Sequence, residues 1–131
     1  MTELHEILYC SVLSPDQMPN IVGQIVGQAR VRNAGRDITG LLVFDGLNFC
    51  QHIEGPRNEL IRLMDRIGQD TRHNEVRVVY EGALAERRYQ RFDLGYADVE
   101  GPTGVADIPQ LDGAAALERF LARRLHFDIS G

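Results

Sequence analysis

Residues 38–53 read ITGLLVFDGLNFCQHI. Two apolar runs, Ile38 to Phe44 and Leu47 to Ile53, flank Asp45-Gly46, a pair suited to the positive φ that a tight hairpin turn requires. The stretch predicts two strands joined as a hairpin, and helical patterns lie on both sides of it. Upstream, Met18, Ile21, Val22, Ile25 and Ala29 recur at helical spacing. They follow Ser14-Pro15-Asp16-Gln17, a helix-start cluster. A start at Asp16 keeps Pro19 in the first turn, where its missing N–H costs nothing. Arg30, Arg32 and Arg36 crowd the far end, where cations complement the helix dipole. Downstream, Gly55-Pro56 opens a second helix with Pro at its favoured first position. Leu60, Leu63, Met64 and Ile67 form its buried stripe and Gly68 marks its end.

The pattern extends to both termini. Leu4 to Val12 predicts a first strand, with Ile7, Tyr9 and Ser11 on one side and Leu8 and Cys10 on the other. Val76 to Ala85 and Tyr89 to Val99 predict two more strands. Residues 100–113 hold three Gly and two Pro and read as a connector. Asp112 is placed to cap a last helix whose apolar stripe is Leu117, Phe120, Leu121 and Leu125. The order is the α+β, ferredoxin-like βαββαβ plan with a fifth strand and a terminal helix. It predicts a first and a third strand lying side by side and parallel, and two helices on one sheet face. The terminal helix or a second subunit covers the other face. Residues 1–99 form the domain; residues 100–131 are a linker and a helix packing on the sheet or on a partner.

Composition narrows the function. A chain of 131 residues with 44% apolar and 25% charged residues is an ordinary globular domain. Fourteen cations, all Arg, against 19 acids leave a net charge of −5, which makes the domain a poor non-specific nucleic-acid binder. No apolar run approaches ~20 residues, so no membrane-spanning helix is expected, and the N-terminus lacks a signal segment. The expected location is the cytoplasm. Two cysteines are too few for a disulfide scaffold, and Cys10, Cys50 and His52 lack metal-ligand spacing. Cys10 and Cys50 are expected as buried thiols sharing one sheet face. Asp45 is explained by the turn and makes no acid/base pair with Glu54, so no catalytic residue and no metal site is assigned.

Polar residues converge on one apolar layer. Gln51 shares a strand face with Phe49 and Ile53, as Tyr9 does with Ile7. Arg32 and Asn33 flank the apolar face of the first helix, and Arg72 and His73 follow the second. Each alone has a structural explanation: a core tyrosine, a helix-end asparagine, a turn arginine. Gln51 says more, because an amide on an apolar face needs partners. Together they match a small-molecule site, mostly apolar with a few placed hydrogen-bonding groups.

These residues carry a resemblance to the BLUF family, the sensors of blue light using FAD. It rests on LYCS, on RNAGRDITGLLVFDGLNFCQHIEGP, on DTRH and on RRYQRFDLGY, with Asn33 and Gln51 standing 18 positions apart. The resemblance implies FAD, with FMN as the alternative, bound between the two helices. Asn33 would hold the ring's pyrimidine edge. Ile25, Leu42 and Phe49 would line the ring. Arg32, Arg72 and His73 would steady the polar part. Tyr9 would give an electron and a proton, and Gln51 would rotate or tautomerise, leaving a small red shift. Phe92 and Leu94, on the signalling strand, stand where the family often carries Trp and Met. Ala29 stands where many members have Ser. These departures bear on output and dark recovery more than on flavin binding. The implied partner is a downstream protein acting in trans, with a homo-oligomer expected and no direct contact to nucleic acid or membrane. Two other readings are a light-silent flavin or ligand module and an acylphosphatase-type enzyme. The second lacks the cationic anion loop it needs after the first strand.

Overall fold

The computed structural model describes residues 3–97 and 104–130, without the side chains of Leu125 and Ser130. The elements are β1 (Leu4–Leu13), α1 (Ile21–Ala34), β2 (Thr39–Phe44), β3 (Asn48–Pro56), α2 (Arg57–Gln69), β4 (His73–Leu84), β5 (Phe92–Tyr96), α3 (Ala114–Arg123) and β6 (Asp128–Ser130). The expected end of the fifth strand at Val99, the connector at 100–103 and the stripe position of Leu125 lie outside the described residues.

The hairpin forms as its sequence predicts. Gly46 sits at φ 103°. The Asp45 carboxylate accepts the Leu47 and Asn48 N–H groups at 2.9 and 2.6 Å, which locks the turn. The sheet order is β4-β1-β3-β2-β5-β6. β1 and β3 are central neighbours, but they run antiparallel, with Tyr9 opposite Gln51 and Cys10 opposite Cys50. The expected parallel pairing fails for a topological reason. The crossover through α1 makes β2 parallel to β1, and the tight hairpin then reverses β3 into the gap between them. β5 joins β2 in parallel, and β6 closes the far edge antiparallel to β5. β6 was not anticipated; at three residues it is too short to show a period.

Strand alternation divides the core. Ile7, Leu42, Phe49, Ile53, Phe92 and Leu94 pack with α1 and α2 on one face. Leu8, Cys10, Leu41, Val43, Cys50 and Val79 pack with Ala116 and Phe120 of α3 on the other. The terminal helix therefore covers the second face, one of the two coverings expected. The two thiols lie 2.9 Å apart there, unbridged. Gly40 marks a close approach: a Cβ at this position would stand 2.2 Å from the His52 carbonyl oxygen.

Several boundaries differ from expectation. α1 starts at Ile21, with Asn20 at its N-cap, so Pro19 lies ahead of the helix instead of in a first turn counted from Asp16. Met18 is 70% exposed and off the stripe, while Val26 is buried in it. Asp112 does not cap α3. Gly113, at φ 61°, holds the N-cap, and the Asp112 carboxylate pairs with Arg77 instead. Pro56 sits at the N-cap of α2, one residue before the first position. β5 begins at Phe92, not Tyr89. The Arg88 and Tyr89 N–H groups bind the Glu54 carboxylate at 3.0 and 2.8 Å, which takes them out of the ladder.

Candidate functional site

α1 and α2 lie over the same sheet face, and the narrow cleft between them has a cavity volume of about 60 Å³. Its floor comes from the central strands: Tyr9 of β1, Leu42 of β2, Phe49 and Gln51 of β3, and Phe92 of β5. One wall is Ile25, Ala29, Arg32 and Asn33. The other is Leu63 and Ile67, continued by Asp70, Arg72 and His73. All the residues expected to bind a cofactor therefore meet in one place. The α2 wall and Asp70 were missed; Leu63 and Ile67, four apart on the apolar stripe, were the available signal. Leu94 does not line the cleft. It is buried in the core beneath and pairs with Leu42 across β2 and β5.

The antiparallel register sets Tyr9 directly opposite Gln51, and the buried Tyr9 hydroxyl donates to Gln51 Oε1. Burial, reinforced by the negative charge of Asp70, holds the Tyr9 phenol well above its ordinary pKa, so it is neutral. Asn33 is 1% exposed, and neither its Oδ1 nor its Nδ2 has a hydrogen-bond partner among the described residues. A buried carboxamide with both ends unmatched costs about 1–3 kcal/mol per group, so such positions call for a ligand.

The remaining polar residues are partnered differently. Both His73 ring nitrogens are taken up inside the protein, by Ser11 Oγ at 2.8 Å and by the Ile67 carbonyl at 2.8 Å. Its ring stands edgewise to Tyr9 and Phe49, 6.5 and 6.2 Å between centroids. Arg72 is engaged by the Asp70 carboxylate at 2.6–3.1 Å, and its Nη1 reaches Gln28 Oε1 at 3.2 Å. That guanidinium holds the Asp70 carboxyl below its usual pKa. Arg32 makes no ion pair among the described residues.

Comparison with known proteins identifies the family. A sequence profile described as "Sensors of blue-light using FAD" matches residues 4–95. The chain belongs to the BLUF family. Its members are blue-light sensors that use a flavin, and the matched region is a sensory rather than a catalytic domain. The chain is 34% identical over 85 residues to the blue light- and temperature-regulated antirepressor BluF of Escherichia coli (strain K12), a match taking in 64% of this chain and 21% of that protein. It thus spans about a fifth of that relative's length. Klebsiella pneumoniae BlrP1, solved with FMN and cyclic diGMP, superposes with a TM-score of 0.67 at 30% identity, over 90% of this chain and 29% of that one. BlsA in its photo-activated state superposes with a TM-score of 0.80 over 98% of this chain and 99% of that one; at 21% identity it shows the fold alone.

Proposed function

We propose that this BLUF protein is a blue-light photoreceptor that binds FAD non-covalently between α1 and α2, uses Tyr9 and Gln51 as its photochemical pair, and signals in trans to a partner in the cytoplasm. The unpartnered carboxamide of Asn33 carries the reading. It offers one donor and one acceptor to a heterocycle edge that presents the complementary pair, as the flavin imide does. The apolar surfaces of Ile25, Leu42, Phe49 and Leu63 suit the flat ring. Arg32, which makes no ion pair among the described residues, lines the cleft to meet the ring's polar extension.

When bound, the flavin supplies the absorption of blue light and an excited state able to accept an electron. The protein's part follows from its own contacts. Tyr9 would give up an electron to the bound flavin, and its phenolic proton would leave along the hydrogen bond to Gln51 Oε1; on recombination both return to Tyr9, so neither charge nor oxidation state differs at the end. Gln51 then exchanges its donor and acceptor ends by rotation or tautomerisation, with no change of charge. His73, fixed by Ser11 and Ile67, holds the edge of the Tyr9 and Phe49 rings. The apolar walls keep water from competing for the Tyr9 proton.

On this reading residues 1–99 are the sensor, and residues 100–131 the linker and covering helix. The test is an absorption spectrum of the FAD-loaded protein, dark and under blue light. A flavin spectrum that shifts slightly red and recovers in the dark is expected. A flavin spectrum that stays fixed would make the protein a light-silent binder and end the photochemical reading. FAD and FMN share the ring that Asn33 and Gln51 face, so competition between them measures what the polar extension adds.

A further inference from the structure

Directly behind Gln51, on the opposite face of the sheet, the protein buries a second polar cluster that the photochemistry does not use. Strand alternation sends Gln51 toward the cleft and His52 toward α3. His52 is 0% exposed. Its Nε2 lies 2.8 Å from Glu6 Oε1 on β1, and its Nδ1 lies 2.8 Å from the Tyr89 hydroxyl. Burial pushes the Glu6 carboxyl up, but the hydrogen bonds and charges of His52 and Arg88 outweigh it and leave the pKa below the ordinary value. An ionised Glu6 can only accept, so Nε2 carries the proton. The His52 ring stands edge-on to Tyr89 at 5.3 Å and to Phe120 of α3 at 5.7 Å. Arg124, just past α3, lies over the Tyr89 ring at 5.4 Å. The carboxylate of Glu54, two residues beyond His52, holds the Arg88 and Tyr89 N–H groups, four and three residues ahead of β5.

Three buried ionisable groups are an expensive way to fill a core, since apolar residues would pack at lower desolvation cost. What they add is direction: hydrogen bonds fix the His52 ring at both nitrogens, where apolar contacts would let it shift. The ring therefore links the β3 backbone at Gln51 to two separate elements.

We propose that His52 is a positioning residue that couples Gln51 through the sheet to the Tyr89 segment before β5 and, through Phe120, to α3. A change in the Gln51 amide that moves the β3 backbone moves the clamped imidazole, and with it Tyr89 and Phe120. The inference rests on Gln51 being the residue that rearranges in light.

The experiment uses the FAD-loaded full chain, Tyr89→Phe and Glu6→Met, which cut the clamp at its two ends while keeping side-chain volume nearly unchanged. Two quantities are read: the light-induced red shift, and the light-minus-dark difference in amide hydrogen exchange over residues 85–97 and 114–123. The wild type is expected to show both. Each variant is expected to keep the red shift and lose at least half of the exchange difference in 114–123. A merely structural role would raise exchange equally in dark and light and leave the difference intact. A full difference in both variants overturns the proposal, as does a wild type that shifts red with no difference in 114–123. A wild type without a red shift overturns the reading of Gln51 itself, and the spectrum reveals that before any exchange is measured.

Discussion

Asn33 sets stability against binding at the scale of one residue. Its buried amide has neither end matched within the described protein, so Asn33→Leu relieves a desolvation cost and adds apolar contact. The flavin-free variant is expected to be more stable than wild type by about 1–3 kcal/mol in denaturant unfolding. The same change removes the hydrogen bonds offered to the flavin, and FAD affinity should fall by roughly 10- to 100-fold, as titration of flavin fluorescence would show. An unchanged affinity would place the flavin edge elsewhere. Tyr9→Phe separates chemistry from binding, because it deletes only the hydroxyl that donates to Gln51. FAD should bind within about two-fold of wild type, and the red shift should disappear from the light-minus-dark spectrum. A normal shift in Tyr9→Phe would remove Tyr9 as the donor.

Elements hold the site through two close contacts. Gly40 lets β2 approach β3 where the His52 carbonyl leaves no room for a Cβ. Gly40→Ala is expected to cost about 1–3 kcal/mol or more and to disturb the strand that carries both Gln51 and His52. A lower denaturation midpoint together with an altered red shift is the expected pair of results. α3 seals the other face through Phe120, which is fully buried among Leu8, Cys10, Cys50 and Phe127. Phe120→Ala should cost about 3–5 kcal/mol, with FAD bound normally by whatever fraction remains folded, since no α3 residue lines the cleft. Loss of FAD from the folded fraction would show that α3 supports the cleft through the sheet.

The whole molecule should be sensitive to acid. Glu6, Asp70 and Asp107 all have folded pKa values below their ordinary ones, through hydrogen bonds and charge from His52, Arg88, Arg72, Arg123 and Arg119. A carboxyl depressed on folding stabilises the protein fully above its unfolded pKa of about 4, and that stability is lost as pH falls through the folded value. The thermal midpoint should therefore stay level on this account above about pH 5 and drop as pH falls below 4. A midpoint that held steady down to pH 3 would show that these ion pairs contribute nothing net. Tyr9 works at the other end. Its raised pKa contributes stability below pH 10, which is lost as pH rises further. Burial thus favours the protonated phenol in the folded protein.

Much of this protein was legible from local pattern. The Asp45-Gly46 hairpin, the alternation of Ile7 and Tyr9 against Leu8 and Cys10, and the amphipathic stripes of α2 and α3 follow from turn chemistry and from periods of two and 3.6, which neighbouring residues set among themselves. The same patterns were enough to gather Tyr9, Asn33 and Gln51 on one face. Other features depended on partners distant in the chain. The direction of β3 against β1 comes from where the α1 crossover leaves β2. The late start of β5 comes from Glu54 capturing two N–H groups. Asp112 turned to Arg77 instead of capping α3, because the positive φ at the cap suited Gly113. The Glu6–His52–Tyr89 clamp joins residues 46 and 37 positions apart, and no local period connects them. Sequence by itself determined which strand residues face the cleft between α1 and α2, because facing is a property of the local backbone repeat. Only the tertiary structure decided what stands behind them, because long-range hydrogen bonds and packing are settled when the elements meet.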